Sequence, residues 1–172
     1  HVGCYGSGLN PLRGQNNVQG GGDMGALPDR LPGFQHVEDD ELRAKFEALW
    51  GKQVPPKRGW HLTGMFEAME RGELTALYVI GENPLATLPA SVEVRSALER
   101  LELLVVQDPF LTDTGRQAHF VLPACTYAEK EGTFTNLEGR VLRVRQAMDP
   151  VGESLPDWHI MTALANALGA QW

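Results

Sequence analysis

Apolar residues along the chain change their spacing twice, and each change marks a different kind of element. Leu42, Phe46, Leu49 and Trp50 fall at i, i+4, i+7 and i+8, which predicts an amphipathic helix closed by Gly51. Leu62, Met65, Phe66 and Met69 repeat the pattern up to Gly72, and both stripes read as core-facing. At Thr75–Ile80 the period gives way to a continuous apolar run bounded by Gly81, as in a strand buried on both faces. A loop at 81–87 follows, then a helix with Val94, Leu98 and Leu101 on one face, then a second run at Leu103–Val106. That order is a βαβ unit. A short helical stretch at Thr112–Gln117 leads into a third strand, Phe120–Leu122, stopped by Pro123. The economical arrangement is an α/β fold, with parallel strands and covering helices.

Beyond Pro123 the pattern alternates. Thr133–Thr135 and Arg140–Arg145 predict two exposed strands joined as a hairpin around Asn136–Gly139, with a domain boundary near residue 126. A last helix starts at Pro156-Asp157, turns Met161, Leu164, Ala165 and Leu168 to one side, and is capped by Gly169. The first thirty-odd residues, with Gly20, Gly21 and Gly22 in a row, read as irregular loop.

The 172 residues suffice for one ordinary domain, and equally suit a piece of something larger. A net charge of −7 argues against a nucleic-acid backbone as partner, and no apolar run is long enough to span a bilayer. The chain begins at His1 with no signal-peptide pattern after it, so a trimmed start is expected. The two cysteines, Cys4 and Cys125, have no CxxC spacing, and none of the five histidines pairs at i, i+4, so no metal site is expected from this chain alone. Without a GxSxG elbow, a hydrolytic triad has no anchor either.

In an open α/β sheet, ligands gather beyond the carboxyl ends of the strands. Two such ends are marked here by Gly81-Glu82-Asn83 and by Gln107-Asp108. Gly81–Thr87 is not a GxGxxG sequence, which disfavours a nicotinamide dinucleotide and leaves another nucleotide as the candidate. An equal reading makes Asn83-Pro84 a turn and Asp108 a cap. The second polar cluster, Arg13–Gln19 followed by the glycines and Asp23, could orient a small anion through the Arg13 fork. A glycine-rich loop held by its own Asn side chains would look similar.

Taken in order, Asn10–Gly20 (NPLRGQNNVQG), Asp23–Pro28, Gly81-Glu-Asn-Pro84, Val106-Gln-Asp108, Val121-Leu-Pro123, Glu129–Asn136 (EKEGTFTN) and Pro156-Asp-Trp158 resemble the catalytic subunits of molybdenum- or tungsten-dependent formate dehydrogenases. The likeness runs over essentially the whole chain. It implies a Rossmann-like parallel sheet with flanking helices, part of a formate dehydrogenase/DMSO reductase-like fold. Residues 1–14 would be the tail of a preceding α/β domain, 15–126 the second half of the cofactor domain, 127–150 a hairpin return segment, and 151–172 a helix leading to a further domain.

The resemblance also implies roles. Arg13 would stand beside the metal and orient formate, with Gln15 in the same pocket. Gly81, Glu82, Asn83, Thr87, Gln107 and Asp108 would meet one guanosine of a molybdopterin guanine dinucleotide, and Asp157 would approach the dinucleotide from a neighbouring domain. Formate would be oxidised to carbon dioxide with loss of two electrons. A 4Fe-4S cluster, the metal's own ligand and further domains would lie outside this chain in a cytoplasmic parent, or a periplasmic one had a signal been trimmed, that passes electrons to partner subunits. By itself the chain would be inactive. Two departures stand out: His119 replaces the usual Asp before the VLP strand, and Asn83 replaces a frequent Asp. Thr135–Arg140 also resembles the large iron–sulfur subunit of NADH dehydrogenase, a relative that keeps the fold without the molybdenum chemistry.

Overall fold

The computed structural model describes residues 3–6, 8, 14–89 and 91–170, with the side chains of 91 and 92 left aside. In chain order the elements are α1 (Val18–Asp23), β1 (Arg30–Leu31), β2 (Gln35–His36), α2 (Asp40–Trp50), α3 (Leu62–Glu70), β3 (Ala76–Ile80), α4 (Pro84–Thr87), α5 (Ser91–Glu99), β4 (Leu103–Asp108), β5 (Phe120–Pro123), β6 (Gly132–Thr135), β7 (Val141–Val144) and α6 (Asp157–Ala167). Single 3-10 turns lie at Gly115–Gln117 and Tyr127–Glu129. They form two compact units, His1–Gly59 with Thr133–Arg143, and Trp60–Gly132 with Val144–Trp172.

In the first unit, α2 forms where the heptad-like spacing predicts it. Asp39 caps its start by accepting from the Glu41 and Leu42 amides at 3.0 Å, and Gly51 ends it at φ +63°. Its apolar stripe is not core: none of its residues is buried, and Leu49 is 75% exposed. Periodicity identified the shared face, but it is only partly covered: Leu42 and Phe46 are half-buried, while Leu49 and Trp50 are exposed.

The glycine triplet departs further from expectation, because Gly20–Gly22 lie inside the helix α1. Each glycine costs a helix about 1 kcal/mol relative to alanine, so a tertiary contact must hold this one. Asn17 supplies it. Sitting at φ +58°, Asn17 donates from Nδ2 to the Thr133 carbonyl at 3.3 Å and accepts at Oδ1 from the Thr135 amide at 3.0 Å. Its side chain thus pairs with β6 as another strand would. Gly20 makes room for it, since a Cβ there would lie 2.2 Å from Asn17 Oδ1. β6 and β7 form the predicted hairpin, closed by the Asn136 amide donating to the Arg140 carbonyl at 3.0 Å.

The second unit holds the parallel sheet, in the order β3-β4-β5. Both pairings are parallel, Tyr78 opposite Val105 and Gln107 opposite Leu122. Side chains alternate across such a sheet, so Leu77, Val79, Leu104 and Val106 share one face. That face packs with Met69 of α3 and with Val94, Ala97 and Leu98 of α5, giving the core. Here the helix predicted from Val94, Leu98 and Leu101 is core-facing as expected. β3 is not buried on both faces, however. It is an edge strand, and Ala76 and Ile80 at its ends are exposed. The doubly shielded strand is β4, with its last three residues all buried. The stretch expected to be helical at 112–117 reduces to the 3-10 turn.

Chain return after the hairpin is set by backbone pairing. Leu155 bridges Ala124 in parallel, accepting from the Cys125 amide at 2.9 Å and donating to the Pro123 carbonyl at 3.1 Å. This extends the sheet's line past β5 and starts α6 beside the strand ends. Of the stripe predicted for α6, only its neighbour Ile160 is buried, while Leu168 is 81% exposed. Among the described residues, no helix is long and apolar enough to cross a membrane.

Candidate functional site

Polar side chains converge where β3 and β4 end. Gly81 takes φ +62° and donates its amide to the Gln107 carbonyl at 2.8 Å, which ends β3 and turns the chain outward. Glu82 Oε1 accepts from the Asn83 amide and from the Thr87 hydroxyl, both at 2.9 Å. Asn83 Oδ1 accepts from the Thr114 amide at 3.2 Å and its hydroxyl at 2.7 Å, and Thr114 Oγ1 in turn accepts from the Leu85 amide at 3.2 Å. Pro84 occupies the first turn of α4, where its missing N–H costs nothing. The loop is therefore fastened to the turn that follows β4, and Asn83 retains only its Nδ2 for another partner.

Gln107 and Asp108 end the central strand on opposite faces. Asp108 is buried, and its Oδ1 accepts from the Phe110 amide at 2.8 Å, closing a turn instead of serving as the helix cap the alternative reading expected. Gln107 is 0% exposed, and both ends of its amide are engaged. Tyr78 donates its hydroxyl to Gln107 Oε1 at 2.5 Å, and Gln107 Nε2 donates to Asp157 Oδ1 at 2.7 Å. Lys130 donates to Asp157 Oδ2. The site thus joins β3, β4, the turn before β6 and the start of α6. Burial, and secondarily the Asp157 charge, raise the Tyr78 phenol above its ordinary 10.0, so it stays a donor at neutral pH.

Lys130 is aimed by the turn at Tyr127–Glu129. Thr126 and Glu129 cap each other: Glu129 Oε2 accepts from the Thr126 amide at 2.7 Å and its hydroxyl at 2.8 Å. Glu129 Oε1 accepts from the Val151 amide at 3.0 Å, tying the turn to the returning chain. The Thr126 bonds, foremost, hold this carboxyl below its ordinary 4.5.

Of the residues singled out in the sequence, Gly81, Glu82, Asn83, Thr87, Gln107, Asp108 and Asp157 all belong to the second unit, and Gln107 and Asp157 touch. Gln15 is exposed in the first unit. Arg13 lies outside the described residues. His119 has a part of its own, for its Nδ1 accepts from the Leu104 amide at 2.9 Å and continues the β4–β5 ladder; a carboxylate would also accept there. Tyr78, Thr114 and Lys130 were not foreseen. Parity could have flagged Tyr78, the one polar-tipped residue on the face of β3 that shares Gln107's side of the sheet. Lys130 lay within a quoted motif without an assigned task. Among the described residues, no group of three or more His, Cys, Asp or Glu is placed to hold a metal ion.

A polar cluster beyond the strand ends of a parallel α/β sheet stands where ligands collect in open α/β folds. Comparison with known proteins narrows this. Residues 1–167 match the molybdopterin oxidoreductase family, and the chain belongs to it. It is 48% identical over 168 residues to a Staphylococcus haemolyticus protein named "Putative formate dehydrogenase", covering 97% of this chain and 17% of that protein. It is 47% identical over 173 residues to "Probable oxidoreductase YjgC" of Bacillus subtilis, covering 100% of this chain and 18% of that protein. Among solved structures, acetylene hydratase from Pelobacter acetylenicus matches with a TM-score of 0.56 and 26% identity, over 62% of this chain and 15% of that one. The chain therefore spans under a fifth of the length of the relatives it matches.

Proposed function

We propose that the chain is part of the catalytic subunit of a molybdenum- or tungsten-dependent formate dehydrogenase, contributing one wall of a molybdopterin guanine dinucleotide site. The observation that carries this reading is the convergence of Asp157 with Gln107 at the end of the central strand, in a chain of this family with relatives so named. The donor set suits a guanosine. Asp157 offers a partly exposed carboxylate able to accept the N1–H and N2–H edge, and Thr87 and the Asn83 Nδ2 can serve a ribose or base. Gly81, Glu82 and Asp108 shape the loop and strand end around them, and Gln15 belongs to the substrate side of the same proposal. Arg13 takes formate's carboxylate in a bidentate fork, fixing the direction of its C–H bond.

The overall change is formate to carbon dioxide, one proton and two electrons. The metal and its pterins, when bound, supply the two-electron acceptor. A 4Fe-4S cluster and electron-accepting partner subunits, in a cytoplasmic parent, complete the reading. Its test is direct: full-length enzyme should contain molybdenum or tungsten with guanine nucleotide and reduce a dye with formate, and Arg13→Lys should lower kcat/KM for formate by about tenfold or more. Metal-free, nucleotide-free enzyme with full activity would overturn it. The chain alone carries a fraction of the site's walls and should bind guanosine diphosphate more weakly than micromolar by calorimetry.

A further inference from the structure

Gln107 stands in the strand-end motif that the family resemblance assigns to cofactor contact, yet it has no exposed surface and both its amide atoms are engaged. A side chain sealed in this way cannot reach a ligand. Asp157, by contrast, has a side chain 36% exposed, and Lys130 one 27% exposed. Each carboxylate oxygen of Asp157 has one protein partner, Gln107 on Oδ1 and Lys130 on Oδ2, and each can accept a second hydrogen bond. The arrangement is polarised in one direction. Tyr78, which has a donor to give, fixes the Gln107 carbonyl, and that leaves the Gln107 NH2 facing Asp157. A flipped amide would put oxygen against carboxylate.

Resting on the dinucleotide reading above, we infer that Gln107 is a positioning residue acting through Asp157: Tyr78 orients the buried amide, and Gln107 and Lys130 together hold the Asp157 carboxylate open toward the guanine edge. Guanine selectivity then depends on two residues, Tyr78 and Gln107, that never touch the base. The charge of Lys130 offsets the cost of keeping a carboxylate beside a phosphate-bearing ligand.

The test uses purified full-length enzyme and two readouts: guanosine monophosphate released by acid per enzyme, and the thermal midpoint. Gln107→Glu sets two carboxylates face to face and should lower both. Adding Asp157→Asn restores a donor–acceptor pair, so the double variant should recover the midpoint but not the nucleotide. Recovery of both would show that the carboxylate is not what the network presents, and would overturn the inference. Tyr78→Phe keeps the ring's volume and should weaken retention of the guanosine portion by about fivefold in its equilibrium constant, the worth of one buried hydrogen bond, read as faster loss of releasable guanosine monophosphate during dialysis in mild denaturant; unchanged retention would equally overturn it. If wild-type enzyme releases no guanosine monophosphate, the dinucleotide reading fails instead. The network itself is checked apart from any cofactor by ultraviolet titration of Tyr78, whose phenol should ionise more readily in Asp157→Asn.

Discussion

Glu129 uses both carboxylate oxygens to close a turn, and its behaviour with pH follows from that. Its pKa is lower in the folded chain than the ordinary 4.5. Its contribution is therefore complete above that ordinary value and is lost as pH falls through the lower folded one. Urea midpoints measured from about pH 7 down to pH 2 should fall on the acid side in the wild type. Glu129→Gln should start lower at neutral pH and show a shallower acid slope. Gln107 makes a second prediction at this scale. Gln107→Met strands the Tyr78 hydroxyl and removes a donor from Asp157, and should cost about 1–3 kcal/mol in chemical denaturation.

At the scale of elements, α1 shows what periodicity cannot reveal. Its glycines argue against a helix, and the contact that sustains it comes from Thr133 and Thr135, over a hundred residues away. Two substitutions separate propensity from packing. Gly21→Ala meets nothing within 4 Å and should stabilise by about 1 kcal/mol, whereas Gly20→Ala drives a methyl into Asn17 and should destabilise despite the same gain in propensity. Thermal midpoints moving the same way would refute this account. β4 and α5 were legible because their apolar spacing and their burial coincide. The α2 and α6 stripes were legible as patterns but not as burial, since spacing tells which residues share a face and not whether anything lies on it. The meeting of Gln107 with Asp157 was not readable from spacing at all. It depends on the Ala124–Leu155 bridge, a backbone pairing that leaves no periodic trace, and Asp157 was singled out through family likeness.

At the scale of the molecule, α3 and α5 cover one face of the second unit's sheet, while the opposite face is closed around Gln107 and open toward its edges. Ile80, Leu103 and Phe120 share the other face and are exposed, Phe120 by 63%, although parallel sheets are ordinarily shielded on both sides. The exposed stripe of α6 adds Leu164 and Leu168 to the apolar surface. Prepared by itself, the chain should self-associate, and sedimentation velocity should show this declining in Phe120→Glu and Leu168→Glu. A monomer at all concentrations would contradict that expectation. The Ala124–Leu155 bridge carries one more consequence. It staples the two ends of an excursion that leaves the sheet after β5 and comes back just before α6, so Asp157 is aligned by the staple and by Lys130 near the excursion's start, not by its far tip. Closing a longer detour is entropically cheap, about 0.6 kcal/mol for each doubling. The tip near Glu138 can therefore accept inserted residues, and tolerate drift in length over generations, while the strand-end carboxylate keeps its place.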